Sequence, residues 1–317
     1  IKKSGADFKV IYGVEAYFVD DQKNDISGMN AKQIGKIRYH QIILVKNFVG
    51  LKNLYKLVSE AHLKDFYGRP VTLKSKLDEL REGLIIGSAC EQGELYQAII
   101  DGKDEDELLR IADYYDYLEI QPLGNNEFMV RQATEPDKVD KKTGAVIKNR
   151  LRHVKSLEVI RDFNRKVVEL ADELGKPVVA TGDVHFLKKE DAIIRKILLA
   201  GQGFDDFDNQ APLYLKTTNE MLEDFAYFGE RAKEFVIDNP NKIAELIDND
   251  VVPIPKGNYP PVIEGSDDML REICWNNAHK KYGEKVPEIV EKRLEKDVEM
   301  MYTVCVNCYE PKGVKGF

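Results

Sequence analysis

The chain has 317 residues, of which 43% are hydrophobic and 32% charged, a composition typical of a globular protein with one large domain or two ordinary ones. Its net charge of −8 argues against a protein that binds nucleic acid over its whole surface. No apolar run approaches the roughly 20 residues of a membrane-spanning helix, and the four cysteines are too scattered for a disulfide framework, so we expect a cytoplasmic protein with reduced thiols and no membrane.

Strand-like and helix-like segments alternate from the start of the chain to about residue 200. Apolar runs bounded by turn residues predict strands, which cover 8–20, 39–45, 84–90, 117–122 and 176–186. Apolar residues at three- and four-residue spacing predict helices, which cover 50–67, 75–83, 104–116 and 156–175. This alternation is typical of βα units around a parallel sheet or barrel, where functional residues gather at the C-terminal ends of the strands.

The pattern changes after residue 200. Helices joined by loops are predicted over 217–229, 239–250, 266–283 and 287–302, and a proline-containing link covers 251–261. We therefore predict two parts, a barrel-like domain over 1–200 and a mostly helical extension over 201–317.

Several residues of metal-binding types lie near the ends of predicted strands. Asp183 and His185 are separated by one valine and would share one face of an extended strand. The other candidates are Glu15, His40 and Cys90. Carboxylates with imidazoles and one thiolate favour zinc, iron or manganese over calcium or magnesium. Two or three such ions would polarise a phosphoryl group and lower the pKa of a bound water.

Each candidate also has an ordinary structural explanation. A lone glutamate in a strand usually faces solvent, and a cysteine that ends an apolar run is commonly a small core residue. An Asp-x-His sequence also occurs as a hydrogen-bonded pair in a polar turn. The residue types alone leave a metal site and these alternatives equally open, and they identify no catalytic residue.

One basic segment and one cysteine pair add weaker signals. The segment 137–155, with a turn at Thr143–Gly144, carries Lys148, Arg150 and Arg152, which we consider for contact with nucleic-acid phosphates. A solvated hairpin or loop explains the segment better. Cys305 and Cys308 have C-x-x-C spacing, but no second pair accompanies them, so a zinc or redox site there is poorly supported.

The sequence resembles the alpha subunit of PolC-type DNA polymerase III, in its polymerase-and-histidinol-phosphatase (PHP) domain and the link to the polymerase palm. The resemblance runs over about residues 8–297. It is carried by segments such as "YGVEAYFVDD", "YHQIILVKNFVGLKNLYKLVSEAH", "REGLIIGSACEQGEL", "ELGKPVVATGDVHF" and "TTNEMLEDFAYFGE".

The resemblance implies a fold and a ligand set. The fold would be a distorted seven-stranded β/α barrel of the PHP type with its metal cluster at the C-terminal ends of the strands, followed by a mostly helical extension. The family's ligands would fall on Glu15, His40, Cys90, Asp183 and His185. The ions would be zinc, manganese or iron.

The sequence departs from the family in three places. The first metal motifs, an H-x-H and a D-H pair, would precede "YGVE" and do not occur, so we expect an incomplete barrel that lacks its first strands. The segment 21–38 is too short for the exonuclease that many members insert there, and residues after 297 do not resemble the continuation into the palm. An opened barrel exposes sheet edges, so we expect poor solubility.

The function implied is that of a piece of a bacterial replicative DNA polymerase, a nucleotidyltransferase of DNA replication. Its partners would be DNA, dNTPs, the sliding clamp and other replisome proteins, and its polymerase site would use magnesium. Within it, the PHP domain would act either as a multi-metal phosphoesterase or as a scaffold. A free-standing PHP phosphoesterase is the other alternative, although the helices after residue 200 argue against it.

Overall fold

A computed structural model describes residues 8–139, 144–204, 207–254, 257 and 263–309, with side chains described as far as residue 298. Thr143 of the predicted turn and the side chains of Cys305 and Cys308 lie outside this part. The chain divides into two compact units, Ile1–Val251 and Val252–Phe317. The first unit thus extends past residue 200, where we predicted a boundary, because Ile243 and Ile247 belong to its core. The assignment of functional domains to 1–200 and 201–317 stays a prediction.

The strands are short and form small sheets. They are β1 (Gly13–Val19), β2 (Tyr39–Val45), β3 (Thr72–Leu73), β4 (Leu84–Gly87), β5 (Leu118–Ile120), β6 (Lys138–Val139), β7 (Val146–Ile147) and β8 (Val178–Ala180). Four of them make a sheet in the order β3-β1-β2-β4. β2 runs antiparallel to both β1 and β4, whereas β1 and β3 are parallel.

The sheet continues through a backbone connection towards β5 and β8. Gly87 at the end of β4 forms a parallel bridge with Tyr117, which precedes β5, and β5 pairs parallel with β8. β6 and β7 form a separate antiparallel hairpin. The α/β class is therefore confirmed, but the strands of the described residues do not close into a barrel. The antiparallel β1-β2-β4 pairing also differs from the parallel sheet that the alternation of elements suggested.

Apolar side chains cover both faces of the β1-β2-β4 sheet. Alternate residues of β2, such as Ile43 and Val45, face the larger core, to which many of the helices contribute side chains. The other face of the same strand carries Ile42 and Leu44, which pack on Ile243 and its neighbours.

The helices of the first unit are mostly short. They are α1 (Ala31–Ile34), α2 (Phe48–Leu63), α3 (Lys74–Glu79), α4 (Glu94–Ile100), α5 (Glu105–Asp113), α6 (Leu123–Asn126), α7 (Phe128–Gln132), α8 (Leu157–Leu174), α9 (Ala192–Gly201), α10 (Thr218–Asp224), α11 (Arg231–Lys233) and α12 (Asn239–Glu245). The longest, α8, was predicted to end at Gly175, and this glycine is its C-cap residue with φ 64°. A π-helical turn, Glu234–Asp238, joins α11 to α12.

The second unit contains α13 (Ser266–Tyr282) and α14 (Glu288–Tyr309). Throughout the described residues, no helix combines the length and the apolar character that crossing a membrane requires.

Candidate metal centre

The pairing of three strands brings three of the five predicted ligands together near one end of the strands. Because β2 is antiparallel to β4, the first residues of β2 lie beside the loop that follows β4. His40 therefore contacts Cys90. In the β1–β2 register Tyr17 pairs with His40 and Glu15 with Ile42, which places Glu15 and His40 on one face. One ligand atom from each of Glu15, His40 and Cys90 lies within 4.8 Å of the other two.

The contacts inside this cluster favour a charged carboxylate and a neutral thiol. Nδ1 of His40 contacts Oε1 of Glu15 directly and lies 3.6 Å from Sγ of Cys90. The hydrogen bond from His40 lowers the pKa of Glu15, although partial burial opposes this, and the charge of His185 lowers it further. Burial, followed by the charge of Glu91, raises the pKa of Cys90 well above its ordinary value. A cation would be needed to hold Cys90 as a thiolate.

Backbone strain occurs at two positions next to the predicted ligands. Among the described residues, Ala89 (φ 60°) and Asp183 (φ 49°) are the non-glycine residues with positive φ. Ala89 immediately precedes Cys90, and Asp183 is itself a predicted ligand. Left-handed conformations cost an L-residue such as alanine about 1–2 kcal/mol, so the surrounding structure must stabilise them. Such strain is characteristic of functional sites.

Asp183 and His185 lie in a loop, so the prediction that they share one face of a strand was wrong. β8 ends at Ala180, and the backbone N–H of His185 donates to the carbonyl of Leu213 at 2.8 Å. Nδ1 of His185 lies 2.8 Å from the carbonyl oxygen of Asp183, to which it can only donate. Neither residue belongs to the 4.8 Å cluster. Their role as ligands stays a prediction, although the charge of His185 reaches Glu15.

A buried carboxyl group beside the cluster was not predicted from the sequence. Glu119 on β5 is only 6% exposed and accepts hydrogen bonds from Oγ1 of Thr181 at 2.7 Å and Nε2 of Gln121 at 3.3 Å. Burial raises its pKa to about 7, the two hydrogen bonds oppose this, and the charges of Asp183 and Glu15 add to the increase. The signal was present in "YLEIQP", because a glutamate inside an apolar strand has no solvent to face.

The basic residues considered for nucleic-acid contact are placed at the β6–β7 hairpin and the turn after it. Nε of Arg150 donates to Asp101 at 2.8 Å, and Nη2 of Arg152 donates to Asp137 at 2.8 Å. Lys148 lines a cavity of about 300 Å³ beneath the hairpin. Since carboxylates already neutralise both arginines, the geometry gives this prediction no added support.

Comparison with known proteins places these features in a family. Residues 1–122 match the PHP domain family. Over 282 residues the chain is 48% identical to DNA polymerase III PolC-type of Clostridium perfringens, which covers 87% of this chain and 18% of that protein. It is 45% identical over 263 residues to the protein of that name from Thermotoga maritima, an alignment that covers 82% of this chain and 18% of that protein. It is 40% identical over 290 residues to that of Bacillus subtilis, an alignment that covers 88% of this chain and 18% of that protein.

The similarity continues well past the PHP match, since each of these relatives covers more than four-fifths of the chain. The chain spans less than a fifth of the length of these relatives. The chain is therefore a homologue of the segment of PolC-type DNA polymerase III that carries the PHP domain.

Proposed function

We propose that this chain supplies the metal-binding PHP domain of a bacterial replicative DNA polymerase and that Glu15, His40 and Cys90 hold a divalent ion there. The observation that carries the proposal is the convergence of a carboxylate, an imidazole and a thiol, from three separate segments, within 4.8 Å. The strands β1 to β5 and β8 would belong to a β/α barrel of the PHP type. The whole polymerase would act in the cytoplasm on DNA and dNTPs, with magnesium at its polymerase site and with the sliding clamp and other replisome proteins as partners.

The donor set fits a zinc, manganese or iron ion. Metal–ligand bonds to such ions are about 2.0–2.3 Å long, so two ligands of one ion lie about 3–4.5 Å apart, close to the separation limit found here. The Glu15–His40 contact would open as the ion enters, and Cys90 would lose its proton. Asp183 and His185 would join the site through the loop that follows β8.

The chemistry best suited to this arrangement is hydrolysis of a phosphoester, such as one at a DNA end. A divalent ion would supply positive charge next to a phosphoryl oxygen. Glu15, His40 and Cys90 would hold the ion through a carboxylate oxygen, an imidazole nitrogen and a thiolate sulfur. In the metal-free protein burial raises the pKa of the Glu119 carboxyl group to about 7, and a divalent ion nearby would lower that pKa.

Metal content tests the ligand assignment. We expect the purified chain to retain zinc or manganese after dialysis, and Glu15→Gln and Cys90→Ala to lower the affinity at least about ten-fold, because each removes one donor. Cys274→Ala is the matched control, since this thiol lies in the second unit. Inductively coupled plasma mass spectrometry gives the stoichiometry. Equal metal content in all variants would refute the assignment, and Asp183→Ala/His185→Ala shows whether the loop contributes.

A scaffold role is the second candidate, and the surface of α9 favours it. Ile193, Ile194, Ile197 and Leu198 are each 56–64% exposed, which makes one contiguous apolar surface. Because the relatives are more than five times longer than the matched segment, another part of the polymerase would cover this helix.

The exposed surface of α9 predicts the solubility of the chain. We expect Ile193→Lys/Ile197→Lys to raise solubility and lower binding of the dye ANS, with little change in Tm, because these side chains bury little area. Leu63→Lys is the control, since Leu63 is 83% exposed on α2. A large fall in Tm for the double variant would show that α9 packs on its own unit.

A further inference from the structure

Tyr17 places an aromatic ring at the border of the candidate metal centre. It lies two residues after Glu15 on β1, so both side chains point to the same face of the sheet, and it pairs with His40 across the strands. The rings of Tyr17 and His40 meet edge-on with their centroids 5.3 Å apart. A side chain that packs on the Tyr17 ring therefore lies next to the atoms that would bind the ion.

Two arginines from different segments contact this one ring. The guanidinium carbon of Arg38 lies 4.3 Å from the centre of the Tyr17 ring, and that of Arg69 lies 5.2 Å from it. Nη1 of Arg69 also donates a hydrogen bond to the hydroxyl oxygen of Tyr17. Within the described part of the chain, neither guanidinium forms an ion pair with a carboxylate.

Another arginine that lies over a tyrosine ring does form ion pairs with carboxylates. Arg165 on α8 lies 6.0 Å from the ring centre of Tyr227, but it donates to Glu158 at 2.8 Å and to Asp162 at 2.7 Å. Both guanidinium carbons of Arg38 and Arg69 lie close to the centre of one ring, which keeps the two positive charges within about 10 Å of each other. An anion held by both guanidinium groups would offset the repulsion between these charges.

We propose that Arg38 and Arg69 bind the phosphate group of a phosphoester beside the ion held by Glu15, His40 and Cys90, with Tyr17 as the positioning residue. Guanidinium groups match phosphate oxygens in geometry and charge. The inference rests on the proposed function for the presence of the ion. It does not rest on it for the anion affinity, which the two arginines supply by themselves.

Phosphate titration of the whole chain, with and without Mn²⁺, tests this inference. Isothermal calorimetry with inorganic phosphate and with a thymidylate hexamer distinguishes a lone phosphate ligand from a nucleic-acid backbone. We expect Arg38→Gln and Arg69→Gln each to weaken binding about ten-fold, as for the loss of one charge-assisted contact. Tyr17→Phe, which removes only the hydroxyl bond to Arg69, should weaken binding less. Arg165→Gln is the matched control and should bind as the unchanged chain does.

The outcomes separate this inference from the proposed function. Normal Mn²⁺ content with equal phosphate affinity in the Arg38 and Arg69 variants and the control overturns the inference and leaves the metal assignment intact. Absence of phosphate binding by the unchanged chain overturns it as well. Absence of bound zinc, manganese and iron together with weakened phosphate binding in both variants supports the arginine site and refutes the metal assignment.

Discussion

Replacing Gly50 by alanine should lower the free energy of unfolding by about 3 kcal/mol, the upper part of the usual range for overpacking. Gly50 lies in the first turn of α2, where a Cβ atom would sit only 1.7 Å from the carbonyl oxygen of Gly83. The obstacle is backbone, which no rotamer change can move aside. The helix would have to shift away from the start of β4, which would disturb Lys46, whose N–H donates to the same carbonyl at 2.9 Å.

Urea denaturation followed by circular dichroism measures this effect, and Gly201→Ala is the matched control. Gly201 is also helical, but a Cβ atom there meets nothing within 4 Å. We expect this control to range from no change to a gain of about 1 kcal/mol, because alanine favours helix more than glycine does. A Gly50→Ala variant as stable as the control would show that α2 does not approach β4 as closely as the structure places it.

Replacing Glu119 by glutamine should make the metal-free protein less sensitive to pH. The folded-state pKa of Glu119 is raised to about 7 from an ordinary value of 4.5, chiefly by burial. Between these values the folded chain retains a proton that the unfolded chain has released, so stability falls as pH rises. The loss is complete above about pH 7 and amounts to about 3 kcal/mol, at 1.36 kcal/mol for each pH unit.

The measurement compares urea denaturation at pH 4.5 and pH 8 in the presence of EDTA. Glutamine is neutral throughout, and its carbonyl oxygen still accepts from Thr181 and Gln121. Relative to the unchanged chain, Glu119→Gln should therefore gain about 3 kcal/mol between the two pH values. Glu173→Gln on α8 is the control, because water solvates this exposed carboxylate. A gain for Glu119→Gln no larger than the control's would mean that water reaches Glu119.

Most elements could be predicted because their signals are local. β2 has the predicted bounds, Tyr39–Val45, and α8 begins and ends within one residue of its prediction, since its apolar spacing and Gly175 act over a few neighbouring residues. The strand ends were predicted less well. The predicted strand 176–186 extends past Ala180, but β5 ends at Ile120, so its pairing with β8 stops there as well. Strand length thus depends on a partner that is distant in sequence.

The candidate site was predicted only in part, because residue types are local signals whereas contacts between distant segments are not. Residue type and position near a strand end identified Glu15, His40 and Cys90, which the structure brings together. Glu119 was missed although its place inside an apolar strand was visible in the sequence. The Arg38–Tyr17–Arg69 group was missed because the contacts between these residues arise only after folding.

The sequence by itself determined the α/β class, most of the helices, the types of metal-binding residue and the resemblance to PolC-type polymerases, since these depend on neighbouring residues or on collinear motifs. Only the tertiary structure decided that β2 is antiparallel to β1 and β4, that Asp183 is left-handed in a loop, and that Gly50 touches Gly83. Strand direction and close approach are set by packing between segments distant in sequence, and no local pattern records them.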